Sequence, residues 1–318
     1  MAEHVIQITN LSKDYKTKEG PFRALNRLNL MVKEGEIFGY LGPNGSGKTT
    51  TIRMMFDFIR PTEGKINILG LDAQSDSVAL HHKVGFIPGE LNLWRNEKAG
   101  DIIRFVGNVR GSLDMNYVNQ LAERLQFDMS KKMRDYSTGN KRKIGLILAM
   151  MNKPEVLILD EPTTGLDPLM QHIFNQMMEE VRDEGRTVFL SSHVLSEVQA
   201  ICDRVGVLRN GDLKAVETVD TLMEAEFRWV VLRYREVPQN IDKLAAVAGV
   251  SDVSIEGNDV TLRMFGDFDP MLKVASEQYV VDLETKEPTL EEIFLEYYDE
   301  GDGGTANGNN KRKNEEVA

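Results

Sequence analysis

Residues 42–50 read Gly42-Pro43-Asn44-Gly45-Ser46-Gly47-Lys48-Thr49-Thr50, and no other stretch of the chain limits its fold as tightly. They fit the phosphate-loop pattern G-x-x-x-x-G-K-[ST], with Gly42, Gly47, Lys48 and Thr49 in the defining places. Glycines let backbone wind closely around a polyphosphate, so that successive N–H groups point inward at its oxygens. The helix that opens at the lysine adds its N-terminal dipole to the same anion site. Lys48 is expected to reach the β- and γ-phosphates, and the Thr49 hydroxyl to hold Mg²⁺. The flanks agree: residues 35–41 read as a short buried strand and residues 50–59 as a helix. A glycine-rich turn without function is the alternative, and the alignment of strand, loop and helix argues against it. A bound nucleotide is implied.

At 318 residues the chain has room for two domains with their own cores. Apolar residues make up 41% and charged residues 28%, as in an ordinary globular protein. No apolar run approaches the 18 residues or so of a membrane-spanning helix; the longest, 144–151 and 156–159, fall far short. The start, Met-Ala-Glu-His, lacks a basic stretch followed by an apolar one, so no secretory signal is expected. A lone cysteine, Cys202, excludes an intramolecular disulfide, suits a reducing compartment and reads as a packed thiol. Net charge is −12, which gives no general grip on nucleic acid. The tight basic clusters, Lys131-Lys132 with Arg134, Lys141-Arg142-Lys143 and Lys311-Arg312-Lys313, read as solvated surface.

The first forty or so residues alternate apolar and polar positions, as in Val5-Ile6-Gln7-Ile8, and predict a β-rich edge region. Over about 97–150 the apolar spacing turns helical, in Ile102-Ile103-Phe105-Val106 and Val118-Leu121-Leu125, which predicts a helical insert. Short buried runs then alternate with helices: 156–159, a helix through Met178, and 187–190. That is the mark of a mainly parallel sheet covered on both faces. Composition shifts near Asp220. Strands at 227–235, 250–256, 259–265 and 278–284, with helices at 240–248 and 269–276, give the order βαββαβ of a small α+β, ferredoxin-like domain. A last amphipathic helix is expected over 290–298, capped by Thr289, and a disordered tail after Glu300. The expected division is therefore 1–219, 220–299 and a 300–318 tail.

A phosphate loop alone leaves kinases, GTPases, helicases and transport ATPases open. Two later segments narrow the choice: Tyr-Ser-Thr-Gly-Asn-Lys-Arg-Lys at 136–143 and Val-Leu-Ile-Leu-Asp-Glu-Pro at 156–162. A hydrophobic strand ending in Asp160 places a carboxylate beside the Mg²⁺ held by Thr49. Glu161, one residue on, is placed to polarise the water that attacks the γ-phosphate.

Together these motifs resemble the ATP-binding cassette (ABC) ATPases, the nucleotide-binding subunits of membrane transporters. The resemblance covers residues 1 to about 215, with the family's landmarks in order. It implies that Tyr15 stacks on adenine, although a strand-end aromatic also suits a core. It makes Ser137-Thr138-Gly139-Asn140 the signature motif, places Asp167 in the loop that joins two protomers, and makes His193 the γ-phosphate sensor. Ser137 and Gly139 open a helix whose N–H groups offer a second anion site; in the family this site meets ATP held by the opposite protomer. Two cassettes then sandwich two ATP molecules, and hydrolysis releases them.

The chain departs from the family at four positions in two motifs. Thr138 stands for the first signature glycine and Asn140 for the final glutamine, while Tyr136 replaces the leading leucine as a packing change. In the loop where the family carries a glutamine, Val84-Gly85-Phe86-Ile87-Pro88 continues with Gly89-Glu90. Glu90 is the candidate to supply the missing oxygen. Trp94 and Arg95 lie where the family docks a helix of its membrane subunit, and a packed Trp94 is the alternative.

The implied protein is an ATP-hydrolysing subunit at the cytoplasmic face of a membrane, using ATP and Mg²⁺. Its expected partners are a second copy or homologous ATPase subunit and a separately encoded permease; nucleic acid is not expected. Residues 288–294, Pro-Thr-Leu-Glu-Glu-Ile-Phe, resemble the end of the small C-terminal domain of drug and antibiotic exporters. Two competing readings are a soluble ATPase of ribosomes or DNA repair, whose one support is the basic tail, and a small-molecule kinase, which the 136–140 segment disfavours.

Overall fold

A computed structural model describes residues 4–18, 20–111, 113–223 and 227–286. The chain divides into two compact units, Met1–Asp220 and Thr221–Ala318. The first begins with β1 (His4–Thr17), β2 (Gly20–Lys33), β3 (Ile37–Leu41), α1 (Lys48–Met55), β4 (Glu63–Ile68), β5 (Leu71–Asp72), α2 (Ser77–Lys83) and β6 (Val84–Ile87). There follow α3 (Ala99–Val109), α4 (Met115–Arg124), α5 (Thr138–Met150), β7 (Val156–Asp160), α6 (Pro168–Asp183), β8 (Thr187–Ser192), α7 (Leu195–Ile201), β9 (Arg204–Arg209) and β10 (Asp212–Thr218), and the short α8 (Val219–Met223) runs across the boundary in sequence.

Two sheets share this unit. The alternating segments at the start form an antiparallel sheet in the order β2-β1-β4-β5. The second sheet runs β10-β9-β3-β8-β7-β6. Its strands pair in parallel from β9 through β6, and β10 closes one edge antiparallel to β9. Every residue of β3, β7 and β8 is buried, as expected of central strands covered on both faces. Parallel direction brings the carboxyl ends of β3, β6, β7 and β8 to one edge, where open α/β sheets bind ligands. The phosphate loop, residues 88–90, Asp160-Glu161 and His193 all follow those ends directly.

Between β6 and β7 lies the helical insert. Ile102 and Ile103 of α3 and Val118 and Leu121 of α4 are buried at helical spacing. Asp114 caps α4 by accepting from the backbone N–H groups of Asn116 and Tyr117. Helix α1 runs 48–55 rather than reaching residue 59, because Asp57 adopts a left-handed φ of 51° and turns the chain toward Pro61. Among the described residues no helix is long and apolar enough to cross a membrane.

The second unit contains β11 (Phe227–Tyr234), α9 (Ile241–Ala245), β12 (Val250–Glu256), β13 (Asp259–Phe265), α10 (Asp269–Ala275) and β14 (Val280–Lys286). Its strands form an antiparallel sheet in the order β12-β13-β11-β14. Val230, Leu232 and Tyr234 of β11 alternate onto one face with Val260, Leu262 and Met264 of β13, in one core with Leu244 of α9 and Met271 of α10. Strand β14 starts at Val280 rather than at 278, because Glu277 and Gln278 are still donating to Val274 and Ala275 at the end of α10. The helix expected over 290–298, its Thr289 cap and the tail after Glu300 lie outside the described residues.

Candidate functional site

The phosphate loop wraps around the first residue of α1. Lys48 is only 5% exposed, and its Nζ donates to the carbonyls of Gly42 at 2.6 Å and Pro43 at 3.2 Å. Burial pulls its ammonium below the ordinary lysine value, while the carboxylates of Glu161 and Asp160 pull it back up. Gly47 caps α1 at φ 114°, and a Cβ there would lie 2.7 Å from Leu25 Cδ2 and 2.9 Å from the Ala24 carbonyl oxygen. No other residue type fits that turn. Ser46 is buried, and its Oγ has no hydrogen-bond partner among the described residues. A buried hydroxyl without a partner, two residues before a buried ammonium, is what a phosphate oxygen would satisfy. Thr49, exposed beside Lys48, and Thr50, half-buried, complete the loop.

The two carboxylates at the end of β7 differ in environment. Asp160 is buried, and Ser191 of β8 donates to its Oδ1 at 2.6 Å. Glu161 leaves the strand in a left-handed conformation, φ 49°. Such backbone costs about 1–3 kcal/mol in a residue with a side chain and persists only where neighbours impose it. Here the Glu161 N–H donates to the Ser191 carbonyl at 3.2 Å and to Ser191 Oγ at 3.1 Å. Its Oε1 lies 3.7 Å from Lys48 Nζ and 3.0 Å from His193 Nδ1. The sheet thus brings Lys48, Asp160, Glu161 and His193 to one place from β3, β7 and β8. Gly89, after β6, adjoins them: a Cβ on it would lie 3.0 Å from Asp160 Oδ2. Glu90 is exposed.

Ser137, Gly139 and Asp167 form a second group. Ser137 caps α5, and its Oγ accepts from the Asn140 backbone N–H at 3.3 Å and from Asn140 Nδ2 at 3.2 Å. Asp167 caps α6 through the Met170 N–H at 3.0 Å. Gly139 joins the two loops, since a Cβ there would meet the Gly165 carbonyl oxygen at 2.5 Å. Tyr136 replaces packing with packing plus a hydrogen bond: it is buried, its ring stacks on Phe127 at 5.0 Å, and its hydroxyl donates to the Asp128 carbonyl. Tyr15 is half-buried near the end of β1, pairs across to Phe22, and carries Lys13 Nζ 5.3 Å from its ring centroid. Trp94 is exposed and meets Phe105 of α3 edge-on at 5.2 Å, bordering a groove with Glu97, Asp101 and Ile102.

Two participants escaped the sequence reading. Ser191 holds both carboxylate residues in place. Arg142, expected on the surface with Lys141 and Lys143, is 5% exposed and donates into four backbone carbonyls. Burial lowers its guanidinium from the ordinary arginine value, against the opposing pull of Asp160 and Glu161. A phosphate cradle, a buried ammonium, a carboxylate set by hydrogen bonds and a carboxylate–imidazole pair suit polyphosphate binding and attack by water on a terminal phosphate.

Residues 25–164 match the family model described as "ABC transporter". The chain is 32% identical to the bacitracin transport ATP-binding protein of Enterococcus faecalis, over 96% of this chain and 99% of that protein. It is 28% identical to the linearmycin resistance ATP-binding protein of Bacillus subtilis, over 92% of this chain and 97% of the relative. Among solved structures, an ATP-binding subunit of an ABC transporter is 27% identical and superposes with a TM-score of 0.63, over 69% of this chain and 92% of the other.

Proposed function

Because this chain belongs to the ABC transporter family of ATP-binding subunits, we propose that it works as a dimer that hydrolyses ATP to drive a separate permease exporting a drug, antibiotic or similar small molecule. One observation carries the reading of the site: at the carboxyl edge of the sheet Glu161 lies within ion-pair reach of Lys48 and hydrogen-bonding reach of His193, while Ser191 holds the neighbouring Asp160.

Lys48 and the N–H groups of residues 44, 45 and 47–50 hold the ATP phosphates, and the unpartnered Ser46 hydroxyl supports that use of the loop. Thr49 and Asp160 offer the hard oxygen ligands that Mg²⁺ prefers and would hold it, and the ion neutralises phosphate charge when bound. Glu161 accepts a proton from the attacking water. His193, paired to the same carboxylate oxygen, orients Glu161 and senses the γ-phosphate. Ser137 and Gly139 at the start of α5 meet the ATP of the partner subunit, and Asp167 lies along that junction. Tyr15 stacks on the adenine. Glu90 faces solvent from the loop beside Asp160 and completes the water site once a nucleotide is present. The apolar surface of Trp94 and Phe105, rimmed by Glu97 and Asp101, takes a helix of the permease. The protein therefore acts at the cytoplasmic side of the membrane as a peripheral subunit. The export direction is supported by the full-length similarity to the bacitracin and linearmycin proteins.

Glu161→Gln tests this reading. It keeps shape and removes the base, so ATP stays bound while turnover falls about 10²–10⁴-fold. The trapped protein should elute as a dimer on gel filtration with ATP. Normal turnover by this variant would overturn the assignment.

A further inference from the structure

Two cationic side chains are buried among the described residues, Lys48 and Arg142. The phosphate site accounts for the first. Arg142 lies one turn inside α5, and its fork is spent on backbone: Nη1 donates to the Pro88 carbonyl at 2.7 Å, and the two N–H groups of Nη2 are shared among the carbonyls of Gly89 at 3.3 Å, Asp160 at 3.3 Å and Glu161 at 2.5 Å. A guanidinium holds its N–H groups in a rigid plane, so all four carbonyls must stay in one register for these bonds to coexist.

Three pieces of the site meet on that group. Helix α5 carries it, the loop after β6 supplies Pro88 and Gly89, and the end of β7 supplies Asp160 and Glu161. The consequence is sharpest at Glu161, whose left-handed conformation is held from both sides. Ser191 receives its N–H, and Arg142 donates to its carbonyl. Residue 89 is glycine and has no side chain with which to reach the site, so the loop is tied to it by backbone carbonyls.

We propose that Arg142 is a positioning residue for hydrolysis: its guanidinium locks the Glu161 peptide and the 88–89 loop together, and so aims the Glu161 carboxylate. The inference rests on the reading of Glu161 as the base. Among the described residues the hydrogen bonds of Arg142 go to Pro88, Gly89, Asp160 and Glu161 and to none of the phosphate loop or Tyr15, so its loss acts on turnover and leaves ATP affinity alone.

The test uses the full-length protein with Arg142→Lys and Arg142→Met. For each we would measure kcat and KM for ATP, the dissociation constant of a fluorescent ATP analogue, and thermal unfolding. Misplacement of a catalytic group by about 1 Å costs on the order of 10²-fold in rate. Arg142→Met should therefore lose at least about tenfold in kcat, with its analogue affinity within about threefold of the parent. Arg142→Lys keeps the charge but not the fork, and should fall between. Should Arg142→Met fail to fold, Arg142→Lys decides. Turnover within about twofold of the parent, or a fall in kcat matched by a fall in affinity, overturns the proposal. Glu161→Gln, measured alongside, separates the two claims: if it is inactive while the Arg142 variants are normal, only the positioning role fails, and if it turns over normally the base assignment itself is wrong.

Discussion

Ser191→Ala probes the arrangement of the site through stability. Ser191 is fully buried, donates to Asp160 Oδ1 at 2.6 Å and accepts from the Glu161 N–H at 3.1 Å. A hydrogen bond to a charged group contributes about 1.5–3 kcal/mol, and a buried acceptor left without its donor costs a similar amount. Alanine removes one atom and leaves little cavity, so the expected loss is about 2 kcal/mol. For a unit of this size that lowers the melting temperature by roughly 4–8 °C. The loss should shrink when Mg·ATP is bound, because a metal held by Asp160, as proposed above, would give it a new partner. If about 1 kcal/mol of the deficit disappears, linkage requires the variant to bind Mg·ATP about fivefold more tightly. Thermal unfolding with EDTA and with saturating Mg·ATP measures both terms. A variant within about 1 °C of the parent without ligand would refute the energetic reasoning. A deficit that Mg·ATP leaves unchanged would refute the placement of Asp160 at the metal.

Lys48→Met should abolish ATP binding in a fluorescence titration, because the phosphate charge is left unpaired. The same variant should change the pH dependence of stability. A buried lysine whose folded value is lowered destabilises the empty protein at neutral pH, and that penalty fades as pH rises from the lowered value toward the free value of 10.5. The empty parent should therefore gain stability on the alkaline side of neutrality, a rise the Met variant lacks; equal curves would contradict the burial argument. Gly139→Ala pushes a Cβ against the Gly165 carbonyl oxygen at 2.5 Å. Backbone must move there, so we expect near-normal ATP binding with at least about tenfold slower turnover from loss of register. An unimpaired Gly139→Ala enzyme would show that the α5–α6 junction tolerates displacement.

The parts of the site that local pattern governs were readable in the sequence. The phosphate loop, the strand ending in Asp160 and the helix opened by Ser137 each depend on contiguous residues. Strand β3, expected over 35–41, is observed at 37–41, because its buried run is continuous and short. Arg142 was not readable. Three successive cations on one helix look like a solvated face, and the carbonyls that draw the middle one inward come from Pro88 and Glu161, far along the chain. Ser191 is hidden for the same reason, since its partner is Asp160 on the neighbouring strand. The left-handed turn at Glu161 has no signature in residue type, because no glycine or asparagine stands there to mark it. Helix α1 stops short of its expected end through a similar turn at Asp57. Long-range hydrogen bonding decides the places of Arg142, Ser191 and Glu161, and a linear pattern does not carry it.

As an ABC transporter subunit this ATPase drives a membrane protein. The direct measurement is a mild-detergent pull-down of tagged Glu161→Gln protein from its own cells in the presence of ATP, with the partners identified and their stoichiometry counted. A polytopic membrane protein should be recovered in stoichiometric amount and retained with ATP. Recovery from the soluble fraction alone, with ribosomes or nucleic acid attached, would contradict it.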